Sequence, residues 1–97
     1  GVAEAFGAVS SETAFIDEHS PAIGKTLAEL DLRHRAGVTV IAAVCDNNTQ
    51  INLGPEFTIR ANDILVLLGT PEQVEQALEI LNGESSTKSK QKTLGQD

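Results

Sequence analysis

Arg33-His34-Arg35 concentrates positive side chains in a chain that has few of them. Residues 1–82 hold four Lys or Arg (Lys25, Arg33, Arg35 and Arg60), and two of these fall in the tripeptide. A guanidinium presents a planar fork of donors that matches phosphate or carboxylate, so one chemistry open to this cluster is anion or nucleotide binding. The commoner role of such residues is to close a helix C-terminus, where the dipole favours cations, with Asp31 or Glu29 as ion-pair partners. On these residues alone the helix-end role is the stronger reading.

Gly24-Lys25-Thr26 has the ending of a phosphate-binding loop. That loop needs a glycine five positions before its second glycine, so that backbone amides can curl around the phosphates. Here the position holds His19, and Pro21 lies inside the segment. A helix start with a solvated Lys25 accounts for the tripeptide better, and a phosphoryl-transfer enzyme built on Lys25 is disfavoured. His19 and His34 have no third or fourth ligand at metal-site spacing. Asp46-Asn47-Asn48 lacks the alternating acids and later glutamate of a calcium loop and reads as a turn. Cys45 ends an apolar run and reads as a small hydrophobe. Lacking a serine with a base partner and lacking paired carboxylates, the chain is expected not to be an enzyme. No metal or cofactor is expected either.

The composition narrows the partners. Seven Lys and Arg stand against 14 Asp and Glu, a net charge of −7, with three Phe and no Trp or Tyr. Nucleic-acid binders rely on basic patches and aromatic stacking platforms, so nucleic acid is not an expected partner. Anionic lipid headgroups repel such a chain. Its apolar runs, such as Ile64 to Leu68, fall far short of the roughly 20 residues that span a bilayer, so direct membrane insertion is not expected. A single cysteine excludes an internal disulfide.

Three segments follow from the patterning. Residues 1–11 are rich in Ala and Gly and read as a linker stub, residues 12–82 carry the fold, and residues 83–97 read as a disordered polar tail. The tail holds Lys88, Lys90 and Lys92 against Glu84 and Asp97, which leaves −8 for residues 1–82. Within the fold, Thr13 to Asp17 predicts a short strand, and Ser20-Pro21 a turn or helix start. Ile23, Leu27 and Leu30 recur at helical spacing toward a stop near Gly37. Val38 to Val44 predicts a buried strand, Asp46-Asn47-Asn48 a hairpin turn, and Thr49 to Leu53 an outer strand. Phe57 to Ile59 suggests a further short strand, and Ile64 to Leu68 another buried one. Thr70-Pro71 with Gln73 is a capping box ahead of Val74, Ala77, Leu78 and Leu81, and Gly83 is the stop. The expected fold is α+β, a small mixed or antiparallel sheet with two helices in the order β-α-β-β-(β)-β-α. About seventy residues bury little core, so pairing with a second copy is expected.

Taken together, residues 12–81 resemble the C-terminal domain of the RCK family, also called TrkA-C. The resemblance rests on Ser20-Pro-Ala-Ile-Gly-Lys-Thr-Leu27, Glu29-Leu-Asp-Leu-Arg33 and Gly37-Val-Thr-Val-Ile-Ala42. It continues through Gly54-Pro-Glu-Phe57 and Asn62-Asp-Ile-Leu-Val-Leu-Leu-Gly69. From Asp63 to Leu81 the phrasing is most similar to versions fused to cation/proton antiporters. The resemblance implies a dimeric, cytoplasmic regulatory domain of a bacterial inner-membrane potassium or cation/proton transport protein, partnered by that protein's membrane-embedded part. It implies a small regulatory ligand at the homodimer interface, with cyclic di-AMP the first choice, since a two-fold symmetric ligand suits a two-fold interface. Carried onto this sequence, Leu27 and Leu32 would make apolar contacts to the bases, and Asp31 and Arg33 polar ones. Thr39 and Pro55 would line the remaining wall. Thr39 departs from the asparagine common in cyclic di-AMP binders, offering one hydroxyl in place of an amide. The alternative implied function is a structural dimerisation module with no ligand.

Overall fold

Thr70 closes the start of the longest helix as its sequence dictates. Its hydroxyl accepts from the Gln73 N–H (3.2 Å), while Gln73 Oε1 accepts from the Thr70 N–H (2.9 Å). Pro71 stands at the first helical position, where a missing N–H costs nothing. At the other end Gly83 takes φ +77° and donates to the Glu79 carbonyl. This helix, α3, spans Pro71–Asn82 in the computed structural model, which describes residues 9–83. The linker and tail expectations for residues 1–8 and 84–97 lie outside the described residues.

Four strands form one antiparallel sheet in the order β1-β4-β2-β3: β1 Ser10–Phe15, β2 Thr39–Cys45, β3 Asn48–Ile51 and β4 Ile64–Gly69. Between β1 and β2 lie two one-turn helices, α1 Leu27–Leu30 and α2 Leu32–Arg35. Cys45 pairs with Asn48, and the two residues between them, Asp46 and Asn47, both have positive φ. That is the turn whose twist suits a two-residue hairpin.

Alternation along β4 buries Leu65 and Leu67 (each 0% exposed) and turns Ile64, Val66 and Leu68 to the opposite face. Val74, Ala77 and Leu81 of α3 pack on the inner face with Ala14 and Ala43 of the strands and Val38 just before β2, and Leu30, Leu32, Ile16 and Ile59 complete the core. The outer face carries none of these helices. A bulge between Val40 and Ala42 makes Ile41 the extra residue of β2.

The structure departs from the sequence reading in three places. First, β1 begins at Ser10 and ends at Phe15, so Ser10 and Ser11 belong to the sheet and pair with Gly69 and Leu68. Ile16 leaves the strand and exchanges backbone bonds with Asn62 and Asp63 instead. Second, the single helix expected up to Gly37 is two. Gly24 at φ +87° excludes Ile23 from any helix, and Asp31 at φ 49° separates α1 from α2. The helix start is Thr26, whose hydroxyl caps Glu29 N while Glu29 Oε1 takes the Thr26 N–H at 2.8 Å. Third, the segment 57–59 does not join the sheet. It pairs locally with 25–27 through a single bridge between Thr26 and Thr58.

Candidate functional site

The bonds around that bridge fix the floor of a cleft. The Ala28 N–H donates to the Pro55 carbonyl and the Leu27 N–H to the Phe57 carbonyl, each at 3.0 Å, so the 54–57 segment is clamped beside α1. The start of β2 runs along the opposite side. Between them lies a cleft of about 270 Å³. Leu27 and Ala28 line it from α1, Arg33 from α2, Val38 from just before β2, Thr39 and Val40 from β2, and Leu53, Gly54 and Pro55 from the loop after β3.

Four of the six residues assigned to a pocket from the sequence therefore meet there: Leu27, Arg33, Thr39 and Pro55. Asp31 and Leu32 do not line the cleft. Leu32 is 3% exposed and turned into the core beneath α2. Asp31 is exposed and lies 3.5 Å from His34 Nδ1. Ala28, Val38, Val40, Leu53 and Gly54 were not read as site residues. Gly54-Pro55 follows the outer strand expected from the sequence, but only the Ala28–Pro55 bond shows what this segment packs against.

The cation cluster divides by role. Arg35 donates from Nη1 to the Leu30 carbonyl (3.2 Å), which is the helix-end role. His34 faces Asp31. Neither arginine takes the expected partner: Glu29 is engaged by the Thr26 N–H, and Asp31 by His34. Arg33 has no ion pair among the described residues, and its side chain reaches the cleft. The helix-end reading thus accounts for two of the three residues and leaves Arg33 for an anion. The cleft offers such an anion one guanidinium, the Thr39 hydroxyl, and apolar walls from Leu27, Val40 and Pro55.

Gly24-Lys25-Thr26 is not a phosphate cradle. The amides that would face a phosphate are all engaged: Gly24 N–H on the Ile59 carbonyl, Lys25 N–H on the Ala22 carbonyl, and Thr26 N–H on Glu29. Cys45 lies elsewhere, in a polar depression shared with Gln50, Arg60 and Asp63. Burial first, then a hydrogen bond with Asp63 and that carboxylate's charge, push its thiol pKa up, so it is a poor nucleophile. No group of three or more His, Cys, Asp or Glu that could hold a metal occurs among the described residues. No helix among them is long and apolar enough to cross a membrane.

The TrkA-C domain family matches residues 13–82. The K(+)/H(+) antiporter subunit KhtT of Bacillus subtilis (strain 168) is 35% identical over 82 residues, which are 82% of this chain and 50% of KhtT. The chain thus spans about half the length of that relative. Among solved structures, the RCK_C domain dimer of S. agalactiae BusR in complex with c-di-AMP superposes with a TM-score of 0.70 at 21% identity. That match covers 77% of this chain and 99% of the other. The RCK C domain of the potassium transport protein KtrA, in complex with cyclic diadenosine monophosphate, gives a TM-score of 0.69 at 20% identity, covering 80% and 89%. The family match, the antiporter-subunit relative and the shared fold agree with the order of elements built above: the chain belongs to the TrkA-C (RCK_C) family.

Proposed function

We propose that this chain is the cytoplasmic ligand-sensing part of a bacterial potassium or cation/proton transport protein, and that it works as a homodimer binding cyclic di-AMP. The observation that carries the reading is Arg33, which faces a partly apolar cleft while its neighbours His34 and Arg35 have local partners. Arg33 would meet a phosphate, Leu27 and Pro55 would flank a base, and Thr39 would supply one polar contact. Leu32 acts from the core, anchoring α2 so that Arg33 is held over the cleft. Asp31 sets the left-handed turn that aims α2.

Cleft size supports a two-fold site. Pockets for drug-sized ligands run from about 300 to 1,000 Å³, and one copy offers about 270 Å³. Two clefts joined across a symmetry axis enter that range. The cyclic di-AMP complexes of BusR and KtrA support this ligand class, and the KhtT relative supports a cation/proton antiporter as the partner. A ligand that binds one arrangement of the pair better than another biases the attached transporter by that difference in affinity.

Arg33→Ala is the test. The side chain is exposed and has no ion pair among the described residues, so fold and dimer are expected to remain intact. A charge-assisted hydrogen bond contributes about 1.5–3 kcal/mol, so cyclic di-AMP affinity should fall roughly 10- to 150-fold. Failure of the unaltered dimer to bind cyclic di-AMP would leave a domain that only holds subunits together.

A further inference from the structure

Two opposite charges stand at the cleft with no ion-pair partner among the described residues. Arg33 lines it, and Glu56 lies on the 54–57 segment that the Ala28–Pro55 and Leu27–Phe57 bonds clamp beside α1. A Cβ built on Gly54 would fall 2.8 Å from both Oε1 and Oε2 of Glu56, so the carboxylate rests directly against a residue of the cleft wall. Gly54 has no positive φ, so its backbone does not call for glycine; its missing side chain instead gives the carboxylate a seat. Nothing structural holds Glu56 there. Thr58 Oγ1 donates to its backbone carbonyl (3.2 Å), while its side chain makes no hydrogen bond among the described residues. The neighbouring acids differ: Glu29 takes the Thr26 N–H, and Asp31 faces His34.

We infer that Glu56 sets the charge this cleft accepts, admitting phosphodiesters and rejecting ligands with a terminal phosphomonoester or a polyphosphate. The inference rests on the nucleotide-binding reading above and gives that same site its selectivity. A phosphodiester carries one negative charge, which the Arg33 guanidinium matches. A phosphomonoester carries about 1.5 to 2 at neutral pH, and the excess has only Glu56 to face. A space of about 270 Å³ is roughly 8 Å across, about one Debye length at physiological salt, so a charge on its wall acts on every phosphate inside. At that distance each negative charge beyond the one matched by Arg33 loses roughly 2- to 30-fold in affinity, for effective dielectric constants from about 80 down to 20. Selectivity of this kind penalises the wrong ligand and adds no contact to the right one.

Calorimetry on the full chain tests this by comparing cyclic di-AMP with its ring-opened form, the linear dinucleotide that carries one terminal phosphomonoester. The unaltered chain should prefer the ring. Glu56→Gln should shrink that preference by at least about threefold, chiefly by tightening the linear form, and Glu56→Asp, which keeps the charge, should retain most of it. Glu18→Gln removes an equal charge from the exposed β1–α1 connection and should leave the preference unchanged. Circular dichroism checks each fold. If Glu56→Gln shrinks the preference by less than about threefold, or Glu18→Gln shrinks it as much, the inference is overturned while cyclic di-AMP binding stands. An unaltered chain that binds neither dinucleotide overturns the site reading, and this inference with it.

Discussion

Gly37 joins the two walls of the cleft, and replacing it should cost more than a backbone preference. It ends α2, donating its N–H to the Leu32 and Arg33 carbonyls (3.0 Å each), and it leads into Thr39. Its φ is +84°, a region that residues with a Cβ enter at a cost of about 1 kcal/mol. A Cβ there would stand 2.8 Å from Gln73 Nε2, 3.1 Å from Cδ and 3.3 Å from Cγ. The far end of a glutamine normally swings aside, but Gln73 Oε1 is held by the Thr70 N–H in the α3 capping box. Displacing it forfeits about 1 kcal/mol of capping. Gly37→Ala is therefore expected to lose about 2 kcal/mol, or roughly 8–16 °C in Tm for a domain of this size. Circular dichroism melts at fixed protein concentration measure it, the chain having no Trp or Tyr. Gln73→Ala alone should lose about 1 kcal/mol. The double variant should fall about 1 kcal/mol short of the sum, because the obstructing amide is already gone. A Gly37→Ala loss under about 0.5 kcal/mol, or additive losses in the cycle, would refute the reasoning.

Two further expectations concern polar groups, one buried and one partly buried. The Ser20 hydroxyl, 8% exposed, donates to the Leu81 carbonyl (2.6 Å) and accepts from the Ala22 N–H (3.1 Å), tying the β1–α1 connection to the end of α3. Ser20→Ala orphans both groups and should lower stability by about 2–3 kcal/mol, read as a lower urea midpoint at unchanged slope. Because burial and Asp63 raise the Cys45 pKa, alkylation near neutral pH should be slower than for a cysteine in a short peptide, with its rise displaced to more alkaline pH. The sign for stability follows: this contribution is complete below the ordinary thiol pKa and is lost as pH rises through the raised folded value. Peptide-like alkylation across that range would contradict the burial.

Elements with local causes were legible in the sequence. The Thr70–Gln73 box, Pro71 and Gly83 bound α3 correctly, and the paired Asp46-Asn47 turn was visible because its geometry depends on its own two residues. What failed depends on distant contacts. The apolar spacing of Ile23, Leu27 and Leu30 is that of one helix, yet Gly24 is pinned by the Ile59 carbonyl and Asp31 is left-handed, so the stripe breaks twice. The Thr26-x-x-Glu29 box was present in the sequence as the signal of the real start. The break at Asp31 also divides the candidate site, sending Leu32 to the core and Arg33 to the cleft although the two are adjacent. The alternation that buries Leu65 and Leu67 implied an outer partner row, but only the strand register shows that row to be uncharged from edge to edge.

The most direct test of the central claim is a calorimetric titration of the chain with cyclic di-AMP, using AMP, ATP and NAD as comparators. A two-fold pocket built from the Arg33 cleft predicts saturation at one cyclic di-AMP per two chains, with little or no response to the comparators. Saturation at one ligand per chain would contradict the shared pocket. Silence toward cyclic di-AMP from a chain shown to be dimeric would contradict the sensor reading itself.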